Sequence, residues 1–442
     1  MTEVPPLPIS VVVTDDLERS RLTVFFRLLL AIPHLIVVIV WGIAAFAVAV
    51  VLWLALLVEG KAPGTLQKFV ASYIRYSTQV SAYINLAADP YPAFGGAVGY
   101  PIDLEIELAT RQSRGRVAAR LVLAFPALLL LAVLGGGFSG ANFTTFSSST
   151  SGDGGDLWAL GWSSGGVAMT AAFLAWFASL ARGKMPLGLR DLIAYCIGYT
   201  AQAMGYLLLV TDRYPTTDPA RVVPFARLPP HAVRLELSDE VRRSRLTVFF
   251  RFPLAVPHLI WLTLWSMLVL VLVTPAWLIA LVIGRLPSFL HRFFAAWIRY
   301  TTHVLAFLYV IGGPFPGFTG AAGRYPVDIA FAPPERQRRA VTAFRLLLAF
   351  PALVLAGAYG TAALVVALLG WWAALFTGRM PEGLRNLGAV SLRYSAQATA
   401  YLFLVTESYA YAAPALRDRP RNVQLELPFD APGVGPTAIE AV

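Results

Sequence analysis

The chain has 442 residues, 57% of them apolar and only 14% charged, with a net charge of +10. Soluble domains carry about a quarter charged residues, and several apolar runs here exceed the ~20 residues that cross a bilayer, so a polytopic membrane protein is expected. The single cysteine, Cys196, excludes an internal disulfide and a cysteine-based metal site. No RNA- or DNA-binding module accompanies the positive charge.

The chain opens with a Pro-rich leader, and Met1 to Arg27 lacks the short apolar core and cleavage site of a removable signal peptide. Ser10 to Val13 reads as a short strand, followed by a charged turn. Arg19 to Arg27 then recurs unchanged as Arg243 to Arg251, a period of 224 residues that marks an internal duplication. Within each half a finer repeat appears. An Arg six residues before a Pro (Arg27, Arg120, Arg251, Arg345) opens a long apolar run. A Gly-x2-Pro closes that run, at Gly60, Gly183, Gly284 and Gly378. Thirteen residues after the second Pro comes a Tyr: Tyr76, Tyr199, Tyr300 and Tyr394. Four units result, about 10–99, 100–228, 232–323 and 324–427. The first two form one double repeat (1–228) and the next two a second (229–427), with a disordered tail over 428–442.

Tyr100 to Leu108 alternates apolar and acidic residues, as a half-buried strand does. Tyr325 to Ile329 is its counterpart. Arg234 to Leu237 falls where Ser10 to Val13 fell, and Val423 to Leu427 resembles it. About five short strands are expected to gather into one small cytoplasmic sheet.

Unit two carries a Gly-, Ser- and Thr-rich insert over about 135–166. A polar insert does not sit inside a lipid-exposed helix, so each apolar run reads as a helical hairpin, with turns near Gly42 and Gly360. The rival is one long kinked helix per unit, with unit two the exception. The insert holds Asp153 and Asp156 but no Lys or Arg, which places it outside and the termini inside. The expected fold is an all-α integral membrane protein: about eight transmembrane helices as four hairpins, plus amphipathic helices and the small β-sheet.

After each Gly-x2-Pro, polar side chains recur along one face of a helix. Arg75 and Gln79, Gln202, Arg299 and His303, and Arg393 and Gln397 form this stripe. It is the candidate ligand-binding site, if four units converge on an axis. A solvated, headgroup-facing stripe is the plainer reading. The helices that carry it either lie in the interface or cross the membrane. Arg27, Arg120, Arg251 and Arg345 are candidate lipid-headgroup contacts; as plain anchors they would only set helix depth. Trp53, Trp176, Trp277 and Trp371 fit an aromatic belt. His34 and His258 are too isolated to hold a metal.

The pattern Leu57-Gly60-Pro63-Leu66-Tyr76-Gln79 with Tyr91-Pro92, and again Leu375-Gly378-Pro381-Leu384-Tyr394-Gln397, resembles the bacterial membrane domain known as domain of unknown function 4389. The resemblance covers nearly the whole chain, as four units. It departs at His303 in place of Gln, at Gly198 in place of Arg, and at Ala410 where Pro would follow Tyr409. It implies a bacterial membrane location and no activity.

No catalytic motif, cofactor motif or metal-ligand spacing is found. The expected function is a non-enzymatic protein of the bacterial cytoplasmic (inner) membrane. It would bind lipid headgroups, or another membrane protein, through its arginine-rich inner interface and its sheet. The alternative is a transporter or channel whose anion-favouring path is lined by the Arg/Gln/His stripes.

Overall fold

A computed structural model of the chain describes residues 6–135, 166–238 and 241–416. β1 (Ile9–Val13) leads into α1 (Arg21–Glu59), α2 (Gly64–Ile84) and β2 (Ile102–Ile106). Unit two follows as α3 (Arg114–Ala118), α4 (Arg120–Leu134), α5 (Gly166–Arg182), α6 (Leu187–Leu207) and the short α7 (Pro219–Val222). The second half runs β3 (Val233–Leu237), α8 (Arg245–Phe249), α9 (Arg251–Ile283), α10 (Ser288–Leu308) and β4 (Val327–Phe331). It ends with α11 (Arg339–Ala343), α12 (Arg345–Thr377) and α13 (Glu382–Leu402).

The apolar runs of units one, three and four are single continuous helices of 39, 33 and 33 residues, not hairpins. The physical reason lies in the glycines. Gly42 is interior to α1, where an added Cβ would stand 2.8 Å from the Tyr73 hydroxyl, so it serves close approach to α2 rather than a turn. Gly360 lies inside α12, with open space beside it. Pro33, Pro257 and Pro351, and a second proline of α9, Pro275, lie inside these helices without ending them. Among the described residues three helices, α1, α9 and α12, are thus long and apolar enough to cross a membrane, and α4 and α5 are shorter apolar helices. In unit two, α4 and α5 divide one such length between them. The Gly135 carbonyl lies where a Cβ on Gly166 would be, so the two halves meet at the point where the insert departs. The insert itself, with Asp153 and Asp156, is outside the described residues.

Neighbouring units run in opposite directions. Trp53, near the end of α1, donates to the Val117 carbonyl at the start of unit two. Trp176, near the end of α5, donates to the Val24 carbonyl at the start of α1. Trp277 to Thr342 and Trp371 to Val248 repeat the exchange in the second half. Isolated bridges Glu18–Lys184, Lys61–Arg111, Arg242–Arg379 and Arg285–Arg336 close the same four corners. Each pair of units is an inverted, reciprocal couple, and the four tryptophans tie helix ends together.

The Gly-x2-Pro punctuation works as read. Gly60, Gly284 and Gly378 end their helices in the left-handed region, where a Cβ is penalised. Pro63, Pro186, Pro287 and Pro381 then occupy the N-cap positions of α2, α6, α10 and α13. These four helices form the middle of the molecule. Each turns one aromatic face to a long helix, as Trp41 stacks on Tyr76 and Trp265 on Tyr300.

Strands cover another face of the same four helices. β1 pairs antiparallel with β2, and β3 with β4, each over five residues. Among the described residues the strands thus form two separate pairs, one per double repeat, instead of gathering into one sheet, because each pair is held by its own couple of middle helices. β2 lies on α2, β1 on α6, β4 on α10 and β3 on α13. The expected strand over 423–427 and the tail from 428 lie outside the described residues.

The two double repeats dock through α12 against α4 and α5, on faces rich in buried Ala such as Ala168, Ala171, Ala358 and Ala362. Small side chains let helices approach closely. The N-terminus of α13 inserts against the Thr217–Asp218 segment of unit two, where Asn386 donates to Asp218 at 3.1 Å.

Candidate functional site

The four arginines at the helix heads are 1–2% exposed and face inward. Each holds the end of the middle helix of its own unit. Arg27 donates to the carbonyls of Tyr83 and Ala88, and Arg120 to those of Tyr206 and Thr211. Arg251 reaches Phe307 and Gly312, and Arg345 reaches Tyr401 and Thr406. A helix C-terminus presents unpaired carbonyls and partial negative charge, and one guanidinium answers both. Arg27 also pairs with Asp89. Arg120 and Arg345 add Gln112 and Gln337 at 2.7 and 2.8 Å. The reading of these four as headgroup contacts is corrected: burial at internal helix ends leaves no side chain to meet lipid.

The stripe side chains are taken up by neighbouring segments of the chain. Its members bind strands. Arg75 donates to the Leu104 carbonyl and pairs with Asp103 at 3.2 Å, and Gln79 donates to Ala97 and Asp103. Arg299 bonds Ile329 and Gly320 and pairs with Asp328 at 3.2 Å, while His303 meets Asp328 at 3.0 Å. Gln202 donates to Ile9 of β1 and Gln397 to Val233 of β3. The polar face recurs because every unit must fix an irregular segment and a strand to a helix. Gly198 departs from the Arg of the other units because Val11 of β1 and Val222 occupy the space, at 2.7 and 2.8 Å from an added Cβ.

Arg393 is the exception. It is 1% exposed, its Nη2 donates to Ala413, and its Nε and Nη1 have no hydrogen-bond partner. Its counterparts Arg75 and Arg299 have an aspartate; Arg393 has none among the ion pairs of the described residues. His34 and His258 bond the hydroxyls of Tyr76 and Tyr300 at 2.7 and 2.8 Å, so they pack the long helices to the middle ones. Among the described residues no group of three His, Cys, Asp or Glu side chains could hold a metal ion.

Burial alone would raise the Asp328 carboxyl, but hydrogen bonds from His303 and from the Gly323 and Ile329 amides hold it below its ordinary value. A depressed carboxylate stabilises the fold above its unfolded pKa, and that contribution is lost as pH falls through the folded value. Asp328→Asn is therefore expected to destabilise detergent-solubilised protein by on the order of 1–3 kcal/mol at neutral pH. The gap in thermal midpoint between wild type and variant should narrow below about pH 4. A gap that stays constant down to pH 3 would show that the charge on Asp328 does not matter.

What the sequence reading left unassigned is a set of exposed cations at the ends of the long helices. Arg21, Arg182 and Lys184 share one corner, and Lys61, Arg111 and Arg114 the next. Arg242, Arg245 and Arg379 form the third, and Arg285, Arg336 and Arg339 the fourth. Arg21 and Arg339 also cap the ends of their neighbours' long helices, at Ala181 and Val282. Between the corners the long helices expose large apolar side chains, among them Phe46, Leu121, Val271 and Leu364. The signal is in the sequence, since a basic residue follows the glycine of every Gly-x2-Pro.

This four-fold repetition of arginine, proline, Gly-x2-Pro and tyrosine is matched by a known family. The family described as Domain of unknown function (DUF4389) matches residues 21–95, 157–217, 245–316 and 339–412. The chain belongs to this family. Each copy in this DUF4389 chain takes in a long apolar helix, or the second half of one in unit two, and the middle helix after it. No curated protein and no solved structure is detectably similar to the chain.

Proposed function

We propose that this DUF4389 chain is a non-catalytic protein of the bacterial cytoplasmic membrane, with its termini on the cytoplasmic side. It binds anionic lipid headgroups through the exposed cations at the four corners and presents its strands to a partner protein. The observation that carries this reading is the pairing of exposed cations with exposed apolar helix at every corner. Such a pairing suits the boundary between acyl chains and headgroups. The stripe's hydrogen bonds to strands favour this reading over an anion path.

A variant with Arg111, Lys184, Arg336 and Arg379 changed to Glu, one per corner, tests the reading. Each cation near an anionic surface is worth about 1 kcal/mol, so the phosphatidylglycerol-to-phosphatidylethanolamine ratio of co-purifying lipid should fall more than tenfold. An unchanged ratio in folded variant would sink the headgroup reading.

A further inference from the structure

We propose that the long helices do not cross the bilayer but lie along it, embedded in one leaflet, with the strand face turned to water. This rests on the membrane reading above and adds the orientation of the fold. Four observations carry it.

The first is length. At 1.5 Å per residue, α1 is about 58 Å long and α9 and α12 about 50 Å, against a hydrocarbon core of about 30 Å. Exposed apolar side chains run from Leu22 to Val58 on α1, and a crossing helix that kept them all in hydrocarbon would need a tilt above about 50°, beyond the ~40° limit of ordinary transmembrane helices.

The second is charge. Both ends of α1 carry exposed cations, Arg21, Arg182 and Lys184 at one end, beside Asp16, Glu18 and Asp89, and Lys61, Arg111 and Arg114 at the other. Inverted units repeat this in the second half. A crossing orientation divides these cations between both membrane sides, against the inside-positive bias. An in-plane orientation brings all four corners to the headgroups of one leaflet.

The third is the position of the strands. Running back along α2, the β2 segment meets Gln79 at Asp103, Arg75 at Leu104 and Gln67 at Ala109. If α2 stood upright in a bilayer beside α1, this two-stranded sheet would sit at hydrocarbon depth. Its edges would be open there, with Glu105, Glu107, Arg234 and Glu236 exposed. Open sheet edges do not occur in lipid. The strands pack on the middle helices and not along the long ones. α1 meets the Tyr73–Tyr76–Tyr83 face of α2, while β2 meets the Arg75–Gln79 face. The apolar layer and the charged strands are thus separate surfaces of the molecule.

The fourth is the insert. Its thirty residues, rich in Gly, Ser and Thr, join the fold between Gly135 and Gly166. That junction is halfway along the split helix of unit two, which a crossing orientation would place near the bilayer midplane.

The experiment uses the full chain in a Cys196→Ala background, with single cysteines at Ser20→Cys and Lys61→Cys, the two ends of α1, and at Glu105→Cys on β2. Membrane-impermeant maleimide is applied to spheroplasts and to inverted vesicles of an expressing bacterium. All three sites are expected to react in inverted vesicles only. Reaction of all three in spheroplasts only would keep the in-plane arrangement and overturn the cytoplasmic placement. Reaction of Ser20→Cys and Lys61→Cys from opposite sides overturns the in-plane arrangement. That result leaves the anionic-lipid ratio, and so the headgroup reading, to stand or fall by itself. Should a cysteine variant fail to insert, oriented circular dichroism of wild type in stacked bilayers decides the same point. A retained 208 nm band indicates in-plane helices, and its loss indicates crossing ones.

Discussion

Arg345→Ala is expected to be among the most damaging single substitutions in the chain. The guanidinium is 1% exposed and binds the Tyr401 and Thr406 carbonyls and the Gln337 side-chain oxygen. Gln337 in turn donates to Leu404, a residue in the left-handed region. Removing the arginine leaves three acceptors buried without a donor and frees the turn that ends α13. Each buried acceptor left without its donor costs roughly 1–3 kcal/mol. Loss of the folded peak on size exclusion in mild detergent, or a large drop in thermal midpoint, is the expected readout. Arg345→Lys should recover little, because an ammonium cannot serve the diverging acceptors of a planar fork. A midpoint within a degree or two of wild type for Arg345→Ala would show that the helix end is held by its neighbours instead.

Gly198→Arg should also be severe, although it installs the residue that the other three units carry. The space that Arg75 and Arg299 use in their units is filled here by Val11 and Val222. No aspartate of β1 stands ready to pair with the new charge, since β1 reads Ile-Ser-Val-Val-Val. Overpacking costs about 1–3 kcal/mol, and an unpaired buried charge adds several more. Loss of the β1–α6 contact should appear as fast hydrogen exchange at the amides of residues 9–13. Retained protection with an unchanged midpoint would mean that β1 shifts aside at little cost.

The repeat was legible because it is written in residues with a backbone role. Gly60, Gly284 and Gly378 end helices in a conformation that penalises a Cβ, and the prolines 63, 186, 287 and 381, close behind such a stop, mark where the next helix begins. Strand alternation at residues 102–106 was equally local. The same reasoning failed at Gly42. A glycine in an apolar run signals either a turn or a close contact, and only the position of Tyr73 decides between them.

Composition, spacing and the four-fold pattern thus determined by themselves that this is an apolar, repeated, helical chain of one family. They also marked where each helix stops. What the arginines face, whether the polar stripe is a site, and how neighbouring units are directed were decided only in the tertiary structure. Arg27 and Arg21 lie on one helix six residues apart, yet one is buried on carbonyls and the other is exposed at a corner. The charge of a residue is local, but its partner is chosen by chain segments more than fifty residues away, and no pattern within the run records them.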